Sequence, residues 1–480
     1  MHNFTKTDFF KMMNLSDKDS NDSINVDNIT ITDSEIRILI SKPALPTYCT
    51  ICGYRMKSKG FYLRCVTHSI RQDGIKIIIE INQRKYYCHN CKTYHNEQFP
   101  FVDKGKQFTN LTYFLVLEAM KDINASTSSI AVRFNMSDHN VHDIFTRYVD
   151  LKRLPLSEYI SVDEVHLDIS DESKYAFVIM NFVTGEIIDI LHNRWKSTLY
   201  DYFLQIPLEE RKKVKCLISD GYDTYADLCG TILPNCCHII DSFHVVQRLL
   251  NPIRNRINEV LKRYKLQDEK KRQQNNEYTN RDYKTIKASR EVTLLIDYRW
   301  VLLKNHKDIH YSLDAHYHVK LESYMTTFDI EKEFFALSDD FKTLRDLKEL
   351  YIEFNSTEFL DQDSCRIELD KIIKTYKNCG NKIFIEFAMF LEKYRESIIR
   401  SFITVEVTRN KKKGPNYITR LSNGPIEGFN RLPKDYKRST RGIANFDYAR
   451  NRILWATRKN PSILSTPKTL AQIHSYHKKK

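Results

Sequence analysis

Two pairs of cysteines in the first fifth of the chain have the spacing of a metal site. Cys49 and Cys52 form one Cys-x-x-Cys pair, and Cys88 and Cys91 form another. This spacing lets two thiolates converge from one tight turn, and four thiolates suit the tetrahedral coordination that zinc prefers. The long spacer between the pairs requires an extended hairpin that brings them together. A closed four-ligand site leaves no open position, so we predict one structural zinc ion.

The metal site has an ordinary alternative, which is two unrelated pairs of buried cysteines. The chain holds 11 cysteines, an odd number, and the stretch from Met1 to Asp33 has no apolar segment of the kind that directs export. Disulfides are therefore not expected, and metal ligation or burial explains the cysteines better. Four further residues are rival ligands: Cys65, His68, His89 and His95.

Three carboxylates have notable positions in predicted elements: Asp163 in the middle of a strand, Asp220 at the end of a strand and Glu427 on a helix. Asp163 sits among apolar residues in Ile160-Ser-Val-Asp-Glu-Val165, where a carboxylate is costly unless it is paired or bound to a cation. Asp220 ends a predicted strand, and Glu427 follows Asn423-Gly-Pro425, which predicts the capped start of a helix. Mg²⁺ prefers carboxylate oxygens, and a pair of such ions promotes phosphodiester cleavage and strand transfer.

Each of these carboxylates also has a simpler explanation. Asp163 could be salt-bridged, and Asp220 could be a turn residue. Glu427 could be a carboxylate that stabilises the N-terminus of its helix. Because the chain has 61 acidic residues, the three do not identify a site by themselves.

A helix-turn-helix pattern follows the cysteine-rich segment. Thr127–Phe134 and Asp138–Tyr148 have helical periodicity, and Ser137 is a good N-cap for the second helix. In DNA-binding versions of this motif the first residues of the second helix meet base edges, which here are His139 and Asn140. The alternative is an ordinary helical hairpin in a domain core.

Charge and hydropathy bound the function. The 75 Lys and Arg residues exceed the acidic ones and give a net charge of +14, which favours a polyanionic partner. A genome that favours Lys codons would produce the same excess. The longest apolar run, Tyr175–Met180, is far shorter than the roughly 18 to 20 residues that span a bilayer. We expect a cytoplasmic, nucleoid-associated protein without membrane contact.

The predicted elements change along the chain. Ile75–Ile81 and Arg84–Tyr87 are predicted as paired strands of one hairpin, after a polar, partly helical leader. Residues 241–417 are almost entirely helical in pattern. Between these regions, three strands in a meander, a helix and a fourth strand have the order of an RNase H-like core. Their predicted bounds are Tyr159–Leu167, Tyr175–Met180, Glu186–Leu191, Lys196–Leu204 and Val214–Ser219.

Four segments together resemble the bacterial insertion-sequence transposases of the ISL-three family, which carry a DDE active site, and the resemblance covers roughly residues 45–460. The most specific segment is Ser422-Asn-Gly-Pro-Ile-Glu-Gly-Phe-Asn430, which looks like the third-carboxylate segment. Ser161-Val-Asp-Glu164 and Ser219-Asp-Gly-Tyr222 are similar to the segments of the first and second Asp. The fourth is Asp241-Ser-Phe-His244-Val-Val-Gln247.

The resemblance implies a fold and a function. The fold is an α/β RNase H-like catalytic core with a large all-α insertion, preceded by a small zinc ribbon and a helix-turn-helix. Asp163, Asp220 and Glu427 would be catalytic and would hold two Mg²⁺ (or Mn²⁺) ions for cleavage at the element's ends and strand transfer. The predicted domains are a polar leader (1–44), a zinc ribbon (45–104), a helix-turn-helix domain (105–154), the catalytic core (155–240 and 418–460), the helical insertion (241–417) and a basic C-terminal tail (461–480).

The expected partners are double-stranded DNA, as terminal inverted repeats and target, and a second copy in a homodimer on DNA. Asp241 and His244 could touch the active site, or they could be an ordinary cap and a packed histidine. Pro433 departs from the family pattern, and we expect it to stop or kink the Glu427 helix near Leu432. Asn423 and Asn430 could orient Glu427 or contact DNA. The expected DNA contacts are His139, Asn140, Arg84, Lys85, Asn430, Lys434, Lys437 and Arg438.

Two other functions remain open at this stage. A non-catalytic DNA-binding regulator, such as an inactivated transposase, would keep the zinc and helical modules but would need no carboxylates. A structure-selective nuclease with the same core would cleave DNA without specificity for terminal repeats.

Overall fold

The computed structural model describes residues 5–13, 24–68, 74–168, 173–221, 223–274, 288–409, 416–440, 442–443, 445–469 and 471–473. The chain forms two compact units. The first comprises Met1–Arg153, His166–Tyr175 and Arg431–Lys480, and the second comprises Leu154–Val165 and Ala176–Asn430. Tyr222 of the second Asp segment and much of the predicted basic tail lie outside the described residues.

The first unit contains a five-stranded sheet in the order β1-β2-β4-β3, with β5 paired to β4. Strands β2 and β4 are parallel and bury alternate isoleucines, because successive side chains of a strand point to opposite faces. Phe9 of helix α1 (Lys6–Met12) packs in the same core. The strands are β1 (Asn25–Ile31), β2 (Glu35–Ser41), β3 (Lys57–His68), β4 (Lys76–Cys88) and β5 (Thr93–Asn96).

Two expectations for this region differ from the structure. Ile75–Ile81 and Arg84–Tyr87 are not two strands of a hairpin, because they belong to the single strand β4, whose hairpin partner is β3. No turn forms between them because Gln83 is buried in mid-strand and accepts a hydrogen bond from the Tyr62 hydroxyl at 2.6 Å. In addition, part of the expected polar leader forms β1 and β2.

His68, the last residue of β3, allows a pH test of this core. Its side chain is 2% exposed, and Nδ1 lies 2.8 Å from the Thr109 hydroxyl. Burial lowers the pKa of His68 from 6.5 to about 4. The folded state therefore favours the neutral ring, and this contribution is complete above pH 6.5 and is lost as the pH falls from 6.5 to 4.

We expect the wild type to lose about 3 kcal/mol more unfolding free energy between pH 7 and pH 4 than a His68→Asn variant, since one pKa unit corresponds to 1.36 kcal/mol. Urea unfolding at a series of pH values measures this difference. Asparagine keeps a polar group near Thr109 but does not titrate. Equal pH slopes for the two proteins would contradict the prediction.

The first unit also contains the predicted helix-turn-helix. Both helices have the predicted bounds, the Ser137 side chain accepts from the Asn140 N–H, and Asn135 takes the left-handed conformation that ends the first helix. The helices of this unit are α1, α2 (Asn110–Ala119), α3 (Thr127–Phe134), α4 (Asp138–Tyr148), α17 (Arg431–Ser439) and α18 (Phe446–Thr457).

Helix α18 packs against the helix-turn-helix. The Trp455 indole N–H donates to the Leu117 carbonyl at 2.8 Å, and the Arg452 guanidinium donates to the Asp122 carbonyl at 2.7 Å. The Tyr448 ring stacks on His142 of α4 at 4.4 Å. Helix α4 and the segment before the helix-turn-helix are therefore packed against a helix that lies far away in sequence.

The second unit is built on a mixed five-stranded sheet in the order β10-β9-β6-β7-β8. Strand β9 is parallel to both β6 and β10, and β7 is antiparallel to β8. Most of their residues are buried, as expected for strands covered on both faces. The four predicted strands are present, and β10 is additional. Their bounds are β6 (Tyr159–His166), β7 (Tyr175–Asn181), β8 (Ile187–Leu191), β9 (Cys216–Ser219) and β10 (Cys237–Ile240).

Helices make up most of the rest of the second unit. The helices between residues 242 and 400 share one large apolar core that includes Leu249, Leu344 and Phe384. Two short hairpins, β11 (His316–His318) with β12 (Ser323–Met325) and β13 (Thr404–Val407) with β14 (Tyr417–Arg420), complete it. The helices are α5 (Lys196–Leu204), α6 (Leu208–Arg211), α7 (Asp223–Thr231), α8 (Ser242–Gln274), α9 (Arg290–Asp297), α10 (Trp300–Leu303), α11 (Thr327–Phe335), α12 (Phe341–Ser356), α13 (Gln362–Asn378), α14 (Lys382–Lys393), α15 (Arg395–Arg400) and α16 (Gly424–Phe429).

Among the described residues, none of the helices has both the length and the apolar character needed to cross a bilayer.

Candidate active site

Three aspartates, Asp163, Asp220 and Asp241, occupy neighbouring register positions on or directly after three adjacent parallel strands. Ser161 of β6 pairs with Ile218 of β9, so Asp163 and Asp220 each lie two residues beyond this register pair. Ser219 of β9 pairs with Ile240 of β10, which places Asp220 and Asp241 one residue beyond that pair. Asp163 within β6, Asp220 directly after β9 and Asp241 directly after β10 therefore lie side by side across the sheet.

Asp163 has the environment of a cation-binding carboxylate. Burial, together with the negative charges of Asp220 and Glu427, raises its pKa to about 6. Its Oδ2 accepts a hydrogen bond from the Asn430 amide at 2.7 Å. A half-buried carboxylate that faces two like charges is unfavourable without a compensating cation.

The next residue on the strand, Glu164, provides a contrast. Its carboxylate forms an ion pair with Arg194 and accepts a hydrogen bond from the Tyr225 hydroxyl. Because successive residues of a strand point to opposite faces, Glu164 lies away from Asp163. Glu164 is thus held by a cation of the protein itself, whereas Asp163 faces other acids.

Glu427 lies in the first turn of α16 next to a histidine. Its Oε1 is 3.3 Å from Nε2 of His244 on α8. Among the described residues, ligand atoms of Asp241, His244 and Glu427 all lie within 4.8 Å of one another, and Asp163 and Asp220 stand outside this group. Nε2 of His244 is buried without a hydrogen bond in the described part of the chain. These three residues could hold a metal ion.

Two asparagines, Asn423 before α16 and Asn430 after it, form hydrogen bonds with residues on or next to the sheet. The Asn423 side chain does not cap the helix, contrary to expectation, because its amide donates to the Val162 carbonyl at 3.0 Å. Its backbone N–H donates to Oδ1 of Asp241, which is 2% exposed, at 3.1 Å. Asn430 is 4% exposed and contacts Asp163, whereas the expectation was that it orients Glu427 or contacts DNA. Both asparagines therefore position the acidic residues.

Pro433 lies just after this helix. Helix α16 ends at Phe429, somewhat before the expected stop near Leu432, and α17 begins at Arg431. Pro433 is in the first turn of α17, where a missing N–H costs no helical hydrogen bond. The carboxylate of Glu427 precedes the break and keeps its place on α16.

The four cysteines of the two Cys-x-x-Cys pairs form a second candidate metal site, within the first unit. Their Sγ atoms all lie within 4.8 Å of one another. Sγ of Cys49 is 4.0 Å from Sγ of Cys91, and Sγ of Cys52 is 3.6 Å from Sγ of Cys88. Tetrahedral thiolates at a Zn–S distance of about 2.3 Å would be separated by about 3.8 Å. The hairpin of β3 and β4, and not the predicted hairpin of Ile75–Ile81 with Arg84–Tyr87, closes the gap between the pairs.

The rival ligands lie outside this group of thiols in the described part of the chain. Nδ1 of His68 is next to Thr109, and the His89 ring contacts Tyr87. His95 is nearest, with Nε2 at 3.5 Å from Sγ of Cys49 and at 3.0 Å from the Thr93 hydroxyl. Cys65 is exposed on β3.

A comparison with known families decides the class of the protein. The model of a transposase family, the DDE transposases of the ISL-three type, matches residues 160–453, which is more than half of the chain. The chain belongs to this transposase family. No curated protein matches it. The resemblance inferred from the sequence segments is confirmed, and a DNA-processing enzyme with DNA as its partner follows from the family.

The transposase presents two of the expected DNA contacts at the start of α4. His139 is exposed and Asn140 is half-buried. Asn140 lines a cleft of about 180 Å³ together with Lys106 and Arg147. The position of both residues in the first turn of α4 fits the predicted role of base contact, which stays a prediction.

The basic residues expected on the zinc ribbon differ in their exposure. Lys85 is exposed, and its ammonium lies 4.4 Å above the Tyr94 ring. Arg84 is half-buried, stacks on Phe61 at 4.7 Å and donates to the Lys42 carbonyl at 3.4 Å. Lys85 is therefore free to approach a phosphate, whereas Arg84 also supports the fold of the sheet.

The basic residues of α17 differ in their exposure and in their ion pairs. Lys434 and Arg438 are exposed, and Arg438 makes an ion pair with Asp435 at 2.9 Å. Lys437 makes an ion pair with Asp168 at 2.6 Å, and this contact lowers the pKa of the Asp168 carboxyl. Lys434 and Arg438 thus remain the most accessible of the predicted DNA contacts on this helix.

Sequence reasoning did not assign Asp241 and His244 to the transposase site. The signal was present, since Asp241 follows the apolar pair Ile239-Ile240 in the same way that Asp220 follows Ile218-Ser219. The short β10 was not predicted, so Asp241 could not be recognised as a residue at the end of a strand. The structure places it beside Asp220.

Proposed function

We propose that this transposase catalyses Mg²⁺-dependent cleavage at insertion-sequence ends and strand transfer into target DNA, with Asp163, Asp220 and Glu427 as its catalytic carboxylates. We further infer that the five-stranded sheet is an RNase H-like core and that the helices between β10 and β13 form an insertion. The sheet order β10-β9-β6-β7-β8, with three parallel strands carrying aspartates at one edge, supports this assignment.

One observation carries the proposal. Asp163 and Asp220 lie at equivalent register positions of neighbouring parallel strands, and burial and the negative charges of Asp220 and Glu427 raise the pKa of the half-buried Asp163 carboxyl. Such a cluster of oxygen ligands fits two Mg²⁺ (or Mn²⁺) ions, because hard cations select carboxylates and offset their repulsion. When bound, such ions supply activation of the attacking oxygen and stabilisation of the leaving oxygen. Asp163 and Asp220 would be shared ligands, and Glu427 would complete the set.

Asp241 and His244 would position Glu427. The Asp241 carboxylate accepts from the Asn423 N–H at 3.1 Å and so fixes the start of α16. His244 lies 3.3 Å from Glu427 and restricts the rotation of its carboxylate. Asn430 would hold Asp163 in the same way. These contacts pre-organise the acids before DNA arrives.

The first unit would recognise the element's ends. The four cysteines would hold one structural zinc ion, because four thiolates at 3.6 to 4.0 Å match its tetrahedral geometry. The helix-turn-helix would read the terminal inverted repeats through His139 and Asn140. Two ends must be cleaved, so we propose a homodimer as the active form on DNA.

The test is a strand-transfer assay with the purified full chain on DNA that carries the element's terminal repeats. We expect joined products with Mg²⁺ and none with EDTA. An Asp220→Ala variant should bind the end DNA with unchanged affinity but should yield no cleaved or joined product, because it keeps the DNA-reading modules and loses one ligand.

Matched DNA controls separate the alternatives. DNA with scrambled ends should remain uncut, and cleavage of scrambled or branched DNA at the same rate would favour a structure-selective nuclease. End binding by a wild type that never cleaves would favour a non-catalytic regulator. Either outcome would overturn the proposed function.

A further inference from the structure

Two cysteines outside the candidate sites contact each other across neighbouring strands. Cys216 of β9 and Cys237 of β10 are register partners, and their Sγ atoms are 3.4 Å apart. Both belong to one apolar cluster that includes Ile218 and Val407. The two thiols therefore face each other on the same side of the sheet, four residues before Asp220 and Asp241 respectively.

The spacing of the strands permits a covalent bond between these thiols. Neighbouring strands lie about 4.8 Å apart, and disulfides span Cα separations of about 4.4 to 6.8 Å. The Cys216 and Cys237 backbones are held at this spacing by the ladder between β9 and β10. Rotation of two side chains is thus the main movement that bond formation requires.

The two thiols differ in pKa. A hydrogen bond from Cys216 and the charge of Arg400 lower the pKa of Cys237 to about 7. Cys216 is 4% exposed, and its hydrogen bond with Cys237 and its burial raise its own pKa. Since the thiolate is the nucleophilic form, Cys237, which is partly exposed, is the residue that an oxidant would reach first.

We propose that Cys216 and Cys237 form a reversible oxidation site, in which hydrogen peroxide oxidises the two thiols to a disulfide across β9 and β10. The Cys237 thiolate attacks a peroxide oxygen, the O–O bond breaks, and a sulfenic acid forms with release of water. The Cys216 sulfur then attacks the sulfenic sulfur, the S–O bond breaks, and a second water leaves with the Cys216 proton. Two thiols are oxidised by two electrons and one hydrogen peroxide is reduced to two waters.

A second pair of thiols provides an internal control. Sγ of Cys229 is 3.4 Å from Sγ of Cys236, and both lie in the cluster on the opposite face of the sheet. Their contact and burial raise the pKa of Cys236. The two cysteine pairs have the same Sγ–Sγ distance, but the pKa of Cys236 is raised whereas that of Cys237 is lowered. A comparison of the pairs therefore shows whether oxidation depends on the distance between the thiols or on the pKa of the attacking thiol.

The experiment uses the zinc-loaded full chain, treated with hydrogen peroxide at neutral pH, blocked with N-ethylmaleimide and digested without reduction. Cleavage after Lys215 and before Asp220, Asp227 and Asp241 gives fragments 216–219 and 227–240. A Cys229→Ser, Cys236→Ser double variant leaves one cysteine in each fragment. We expect these fragments to be joined after oxidation and separated by dithiothreitol.

Single variants test the assigned order. Cys216→Ser should trap a sulfenic acid at Cys237 that dimedone labels, and Cys237→Ser should eliminate both the label and the joined fragments. Two free thiols after peroxide, or a bond only between Cys229 and Cys236, would overturn the proposal. Melting temperatures of the serine variants show that the sheet is folded. This readout is independent of strand transfer, so failure here leaves the proposed function untouched.

Discussion

An Asp163→Asn variant will lose strand transfer by about 10³-fold or more, yet in EDTA it will unfold at a higher temperature than the wild type. Asparagine keeps the size of the side chain and removes its charge. The loss of activity follows from the loss of a shared metal ligand. The gain in stability follows because the half-buried carboxylate, with its pKa raised to about 6, faces Asp220 and Glu427.

The two effects can be measured separately. Strand transfer is scored with end-bearing DNA, and stability is scored by thermal unfolding with and without Mg²⁺. Mg²⁺ should raise the melting temperature of the wild type, because a ligand that binds only the folded state stabilises it. It should leave the melting temperature of Asp163→Asn nearly unchanged.

Glu164→Gln is the matched control, since it neutralises the adjacent carboxylate on the same strand. Glu164 is paired with Arg194 and Tyr225, so its neutralisation should lower the melting temperature. The response of this variant to Mg²⁺ should match that of the wild type. If Asp163→Asn were also destabilised in EDTA, or retained strand transfer, Asp163 would be a structural acid and not a metal ligand.

The contrast between these two acids shows what the sequence could predict. Asp163 was selected because it interrupts an apolar strand, and Asp220 because it follows one, and both patterns are local. The helices of the helix-turn-helix were also predicted to the residue, since their caps and their turn lie within a few residues. Features encoded within one element can be recognised without knowledge of its neighbours.

Features that depend on contacts between distant segments could not be predicted. Strand β10 has four residues, and its place beside β9 makes it part of the sheet. Strand β2 was assigned to the leader because its partner β4 lies far along the chain. Likewise, His244 meets Glu427 only because α8 and α16 come together in the folded unit. The acidic cluster could thus be proposed from the sequence, but the residues that position it could not.

Removal of the zinc-site thiolates should eliminate recognition of the element's ends. In a Cys88→Ser variant we expect less than one zinc ion per chain and a loss of specific end binding of about 100-fold or more, because a structural zinc site supplies much of the folding free energy of a small module. Cys88 is fully buried at the end of β4. Its Sγ lies 3.6 Å from Sγ of Cys52, which belongs to the first Cys-x-x-Cys pair. Zinc content and DNA affinity are measured on the same preparation.

Cys65→Ser is the control for this prediction, because Cys65 lies on β3 of the same sheet but is exposed and outside the group of four thiols. It should retain one zinc ion and wild-type affinity for the ends. A chelator that strips zinc from the wild type should reproduce the Cys88→Ser defect, and re-addition of zinc should reverse it only in the wild type. Full end binding by a zinc-free chain would mean that the hairpin folds on its apolar core alone, and the four cysteines would then be packed thiols with no part in DNA recognition.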